Sequence, residues 1–455
     1  MTLASIDEGV QSTLRSIDGN RLALLLGAGL SIPSGLPSAQ DIADRAKQTY
    51  DGRKPPGESP LSSDIEEQAK FFYQRGELDT LYIQTLVDKD AFYGPPNEGH
   101  RAVADFLLTG AVRGAVSTNY DTLIEAAGQH LYGAVEVALD GAGTALVQRG
   151  APLLKIHGCW AIDPLHTVWT PRQLDDPGIV RDRIQSSESW LTTHLPNRDL
   201  LVVGFGAEWS YLNDVIGRSL GQITPARVVI VDMNDPEQFR HNAPDLTGLG
   251  DRAHQQAERQ GRAPAFLYVK CSSAEFFGVL RDAFSRGVVR QTLSAGAGAY
   301  VARSGIDAPD PSWLEPAFTT NDDLWLVRRD LEGCSPNDPS RSRTPPAGQA
   351  LGLTMIELQA AGGVPEGPYW RLPSGELVRV LNGSNRTLDA MKSEYDRDMT
   401  PVTSPTVVVA VGADDSPLPG SIARSNPATA AKASSVRGAQ PQWFTRSQDF
   451  ADLLS

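Results

Sequence analysis

The chain has 455 residues, 40% of them hydrophobic, and its 55 acidic against 41 basic side chains leave a net charge of −14. At about 150 residues per domain this length makes two or three domains, and the apolar fraction excludes wholesale disorder. The acidic balance, with no basic cluster beyond VRRD and SRSRT, excludes a free-standing nucleic-acid binder, whose phosphate contacts need grouped Lys and Arg.

The opening stretch MTLASIDEGVQSTL has neither a basic region nor an apolar run, so no signal peptide is expected. No segment reaches the roughly 18 apolar residues of a membrane span. Cys159, Cys271 and Cys334 lie far apart without a CxxC pair. That argues for a reducing cytoplasm and against a disulfide framework or a four-thiolate zinc site.

Along the first 290 residues, short apolar runs end in Gly, Asn, Asp or His: LALLLG, GAVSTN, APLLKIHG, LLVVGFG, ARVVIVDMN and AFLYVK. Helical patterns lie between them. Continuous apolar strands alternating with helices predict an α/β domain, a Rossmann-like parallel sheet with helices on both faces. Ligands of such sheets sit at the carboxyl ends of the strands, so the residues just after each run are the candidates.

The first of these is GAGLSIPSGLP, residues 27–37. Gly27 and Gly29 fit a GxGxxG fingerprint, but Ile32 stands at its third glycine, and no Walker lysine follows. Two glycines let a backbone approach an anion, Ser31 offers a hydroxyl, and a following helix N-terminus would favour negative charge. A strand-to-helix turn without a ligand is the other reading. Residues 62–92 then form one long helical pattern with a Ser-Asp start, a helical insertion beside the sheet. Its apolar face packs either between subunits or into the monomer's own core.

AVSTNYDTLIEAAG places Asn119 and Asp121 at a strand end before a helix, where Asp121 also suits a cap. LLKIHGCW puts His157 after a buried strand, as a catalyst or as a satisfied polar residue. Gly204 and Gly206 in GFGAEW offer another close backbone approach. Asp232 in VVIVDMN suits either ribose hydroxyls or a turn. In KCSSAEFF, Ser272 or Ser273 caps a helix, with Glu275 nearby. His100 reads as structural, and Trp160 and Trp209 as stacking platforms or core.

After residue 290 the texture changes. Residues 291–349 read as a linker or extended segment, and 350–455 as a smaller α+β or partner-docking region. It contains LTMIELQAA, a hairpin around Pro373-Ser374-Gly375, the strand TVVVAVG, a mobile 413–440 and a closing helix in QWFTRSQDFADLLS.

GAGxSxxSGxP, TNYDxLIE, KIHG and VGFG, in this order and spacing over about residues 15–290, resemble the sirtuin (silent information regulator) superfamily. The resemblance implies that Gly27, Ala28, Gly29 and Ser31 wrap NAD, which is a substrate, with Asp121, Gly204, Gly206, Asp232 and Ser272 completing its site. Protein-deacylating sirtuins carry two CxxC pairs for zinc after His-Gly and Asp-Phe-Arg after the glycine loop. This chain has one cysteine and SAQDIADRA there, so no metal is expected. Both departures look like the zinc-less sirtuin-like NADases of bacterial anti-phage systems. In that group the catalytic pair maps to Asn119, which positions, and His157, a general base near its ordinary pKa. The resemblance further implies NAD depletion in infected cells, a homo-oligomer, and an operon-encoded partner such as a hexameric ATPase translocase or a short Argonaute. An NAD-dependent deacylase or ADP-ribosyltransferase, and a non-catalytic NAD or ADP-ribose sensor, are the competing readings.

Overall fold

In the computed structural model the chain divides into two compact units, Met1–Leu280 and Arg281–Ser455. The structure describes all residues except 88, 132–134, 148–149, 206–224, 307–308, 319, 334–347, 385, 398–402, 414–439, 446–452 and 455.

The first unit is built on eight strands: β1 (Thr2–Ala4), β2 (Leu22–Leu26), β3 (Ala115–Ser117), β4 (Val137–Ala138), β5 (Leu153–Lys155), β6 (Asp199–Val203), β7 (Val228–Asp232) and β8 (Phe266–Lys270). They form one sheet in the order β1-β8-β7-β6-β2-β3-β5-β4, and every registered pair is parallel. All six apolar runs read from the sequence are strands of this sheet. All five residues of β2, β6 and β7 are buried, which is why these strands read as unbroken Leu and Val rather than alternating.

One face of the sheet packs Leu25, Val202, Ile230 and Phe266 against Ile184, Trp190 and Leu191 of the helix Ile179–His194 and against Leu246, Leu249 and Ala253 of the helix Pro244–Arg259. Each buried Val, Leu, Ile or Phe among them contributes about 1.5–3 kcal/mol by leaving water. At the amino ends of the strands Asp199, 1% exposed, accepts from the backbone N–H groups of Ala226 and Arg227 at 3.1 and 3.0 Å and from Ser16 Oγ at 2.8 Å. Strand β2 lies between β3 and β6, and the chain leaves it in opposite directions. This is the switch point at which parallel sheets open a ligand crevice.

The predicted insertion differs in detail. It is a helix Ile65–Gln74, then a wide-turned π-helix Leu78–Leu86 and a single turn Lys89–Phe92. The break falls at Gly76, whose φ of 68° is left-handed. Its apolar residues Phe72, Leu78, Tyr82 and Ile83 are buried with Ile42 and Ala46 of the helix Ala39–Asp51 and with Trp169, so this face serves the monomer's own core.

The second unit has a five-stranded mixed sheet, ordered β13-β12-β11-β10-β9: β9 is Val364–Glu366, β10 Tyr369–Arg371, β11 Leu377–Asn382, β12 Val407–Val411 and β13 Gln442–Thr445. The expected hairpin is β10–β11, and TVVVAVG is β12. Two expectations are corrected. QWFT is not helical: it pairs parallel to β12, because its hydrophobic residues complete a sheet edge. The linker reading of 291–349 fails at the helix Asn321–Glu332, whose residues from Leu324 onward are all buried. Its charges hid this. Arg379 on β11 grips Asp330 with Nε to Oδ2 at 2.7 Å and a second N–H to Oδ1 at 2.8 Å, so the polar residues of that helix are interior partners. The predicted mobile segment 413–440 falls almost wholly outside the described residues.

Candidate active site

After β2 the backbone does not enter an α-helix. It makes two three-residue turns, Ala28–Leu30 and Ile32–Ser34, and the α-helix begins only at Ala39, so the expected helix N-terminus does not stand at the glycine loop. What the glycines do is visible in the neighbouring loop. Gly27 N–H donates to Val203 O at 3.0 Å and Gly29 N–H to Gly204 O at 2.9 Å. A Cβ on Gly27 would lie 2.4 Å from Gly204 O, one on Gly29 2.5 Å from Gly204 Cα, and one on Gly204 2.5 Å from Gly29 Cα. The ends of β2 and β6 thus touch backbone to backbone, with no room for a side chain on either. Ala28 is exposed beside this contact.

Ser31, 3% exposed, is the hub of the site. Its Oγ donates to Asp121 Oδ2 at 2.7 Å, accepts from Asn119 Nδ2 at 3.1 Å and lies 3.2 Å from His100 Nε2. His100 Nδ1 accepts from the Asn97 backbone N–H at 3.1 Å, so Nε2 carries the proton and donates to Ser31. One hydroxyl therefore donates once and accepts twice, its full capacity. Burial lowers the His100 pKa to about 4, so the ring is neutral at ordinary pH.

The TNYD segment divides between two environments. Asn119 and Asp121 turn to Ser31. Tyr120 turns to the insertion core, stacked on Trp169 with centroids 4.7 Å apart. Asp121 Oδ1 also takes the Leu123 N–H at 3.0 Å, which is the capping role read from the sequence. Asn119, 8% exposed, leaves its Oδ1 buried and without a hydrogen-bond donor among the described residues. A buried acceptor without a partner is costly unless something else supplies a donor.

His157 differs from expectation. It is fully buried, hydrogen-bonded to the Thr118 backbone, and burial lowers its pKa to about 3 rather than leaving it near 6.5. Register places it beside Asn119: Ser117 pairs with Lys155, and both residues lie two positions further on.

Beneath this layer Lys155, 1% exposed, donates its Nζ to Asp121 O and pairs with Glu125 Oε1 at 2.7 Å. Burial works against its charge, but Glu125 and Asp121 outweigh it and hold the ammonium above its usual pKa. Burial raises the Glu125 pKa. The sequence reads His100 as structural and assigns no role to Lys155 or Glu125. Their partners lie on other elements, and no local pattern announces them.

The remaining candidates stand apart from Ser31. Asp232, at the end of β7, takes the Asn234 N–H at 2.8 Å in a turn, and burial raises its pKa. Ser272 caps the helix Ser273–Ser304 by accepting from Glu275 N–H at 3.2 Å, and Ser273 Oγ donates to Gly29 O at 2.9 Å. Gly206 and Trp209 lie outside the described residues. Trp160 lies against Phe92 and lines a cleft of about 940 Å³ along the insertion. Among the described residues no group of three or more His, Cys, Asp or Glu is placed to hold a metal ion, and no helix is long and apolar enough to cross a membrane.

The parallel sheet, with glycines and a polar cluster at its switch point, has the form of the open α/β sheets that take ligands in this crevice. Residues 113–247 match the family model of the SIR2-like domain, a span that includes Asn119, Asp121, His157, Gly204 and Asp232. Over these residues the chain is similar to the SIR2-like domain. Solved structures similar to it include SIR2 in complex with an inhibitor, 2′-O-acetyl-ADP-ribose and a deacetylated peptide, at 12% identity and TM-score 0.31 over 60% of this chain and 98% of that one. They also include Sir2 with a peptide and NAD⁺, at 14% identity and TM-score 0.33 over 60% and 97%. No curated protein sequence matches the chain.

Proposed function

We propose that the first unit binds NAD at the carboxyl ends of β2, β3 and β6 and hydrolyses its nicotinamide–ribose bond. The observation that carries this is Asn119: its amide NH₂ is held on Ser31 while its Oδ1 is buried and has no donor among the described residues. A ribose hydroxyl or an attacking water would supply that donor. In the reaction the bond from ribose C1′ to nicotinamide nitrogen breaks, and its electron pair neutralises the pyridinium. Water oxygen then bonds to C1′ and gives up a proton. The transition state is oxocarbenium-like, as in glycosidases, so holding ribose and water still is the main task.

In this reading Asn119 positions and His157 accepts the proton. A neutral imidazole with a pKa near 3 is always ready but is a weak base, which leaves the larger share of the rate to positioning. The reading brings with it a cytoplasmic, oligomeric enzyme of anti-phage defence, switched on by an operon-encoded partner such as a hexameric ATPase translocase or a short Argonaute. The sequence motifs and their departures from the deacylases support it.

The test is release of nicotinamide and ADP-ribose from NAD by the full-length protein, alone and with its operon neighbours. Release lost in Asn119→Ala supports the proposal. Silence under both conditions, with NAD still bound, overturns hydrolysis and leaves a sensor.

A further inference from the structure

Which way an asparagine amide faces is set by its neighbours, and here they form a chain of one-way hydrogen bonds. The Asn97 N–H occupies His100 Nδ1, so Nε2 must donate; Ser31 Oγ accepts that proton and commits its own hydrogen to the Asp121 carboxylate. Only acceptor capacity remains on Ser31 for Asn119. The Nδ2 group fills it at 3.1 Å, whereas a flipped amide would set Oδ1 against a hydroxyl with no hydrogen left to give. The carbonyl is thereby turned away from Ser31, where it is buried without a donor among the described residues. Four residues from three segments are spent on one orientation.

We propose that His100 and Ser31 are positioning residues that fix the Asn119 amide with its carbonyl oxygen toward the substrate ribose. His100 acts through Ser31 and touches no reacting atom. The proposal rests on the NAD-cleavage reading for what the oxygen binds, but the orientation itself follows from the hydrogen bonds alone.

The experiment uses the full chain and five variants: Ser31→Ala, His100→Phe, His100→Gln, Asn119→Ala and the double change His100→Phe with Asn119→Ala. Gln keeps a donor at the Nε2 position; Phe keeps bulk without one. His100→Phe and Ser31→Ala should each lower kcat by about tenfold or more, since small misplacements of a positioned group cost that much. KM should move far less, and His100→Gln should recover most of the rate. In the Asn119→Ala background His100→Phe should cost nothing further, because the two act as one unit. Losses that add in the double variant, or a His100→Gln as slow as His100→Phe, overturn the proposal.

The second readout needs no turnover. In protein labelled with ¹⁵N-asparagine, the side-chain amide signal that vanishes in Asn119→Ala should exchange slowly in wild type and His100→Gln, and fast in His100→Phe and Ser31→Ala. Slow exchange retained in His100→Phe overturns the relay. A wild-type protein that releases no nicotinamide, alone or with its operon neighbours, but shows this pattern refutes the hydrolase reading and leaves the relay standing.

Discussion

Replacing Lys155 by Met removes a cation from an interior that still holds its carboxylate. The Nζ–Oε1 distance of 2.7 Å corresponds to about 6 kcal/mol of attraction at an effective dielectric near 20, most of it offset in the native protein by the cost of burying both ions. Losing one partner alone leaves Glu125 uncompensated, and Lys155→Met should cost about 3–5 kcal/mol at neutral pH. Protonation of Glu125 limits the loss, since burial already raises its pKa and removing the ammonium raises it further. The sign follows. Below the unfolded pKa of about 4.3 the group is protonated in both states and the penalty vanishes. As pH rises above that value the unfolded chain ionises while the fold keeps its proton, and stability falls by about 1.4 kcal/mol per pH unit up to the folded pKa. Urea unfolding of the variant at pH 5 and pH 7.5, followed by tryptophan fluorescence, should show a clearly larger loss at the higher pH. The double change Lys155→Met with Glu125→Leu should regain most of the stability, and on the proposed hydrolase reading nicotinamide release stays impaired, because the Asp121 carbonyl still lacks its donor. A loss below about 1 kcal/mol at pH 7.5, or a double variant as unstable as the single one, would refute this account of the pair.

Gly204→Ala places a Cβ 2.5 Å from Gly29 Cα at a φ of 56°, and strain plus overpacking predict a loss of about 2–4 kcal/mol in the first unit, read from its urea midpoint. His100 and His157 are buried neutral with pKa values lowered to about 4 and 3, so each withdraws stability as pH falls below about 6.5. Urea midpoints between pH 7 and 4 should fall less steeply in His157→Gln, and an unchanged slope would contradict the assignment. In the second unit Arg379→Leu removes the closer of the two guanidinium groups on the Asp330 carboxylate and leaves Arg329 at 3.4 Å. A loss of about 1.5–3 kcal/mol, the worth of hydrogen bonds to a charged group, is expected in its thermal unfolding.

The strands and the residues at their ends were legible because both rest on short-range pattern: a buried strand must be apolar along its length, and its end must turn. The hub at Ser31 was half legible. Ser31, Asn119 and Asp121 each stood out at a strand end, but nothing local tells that one hydroxyl joins them, or that His100 completes it from another helix. Lys155 stood within KIHG unread, since a lysine at the end of an apolar run looks like a solvated terminus until Glu125 is placed beside it. The helix Asn321–Glu332 was missed for a related reason: its arginines and aspartates have the composition of a surface, and Arg379, the partner of Asp330, is on a distant strand. The three-residue strand β1 and the edge strand QWFT are too short to carry a period, and pairing alone makes them strands.

The meeting of Gly27, Gly29 and Gly204 has a consequence for how such a chain can change. Most crowded positions in a core can trade volume, one side chain shrinking as its neighbour grows. Here both sides of the contact are already the smallest residue there is, and what they touch is main chain. No second-site substitution can make room, so a mutational path that enlarges any of the three has no partner change to follow it. Variation in these two loops must come from residues that flank this joint, such as exposed Ala28, while the joint itself stays closed to it.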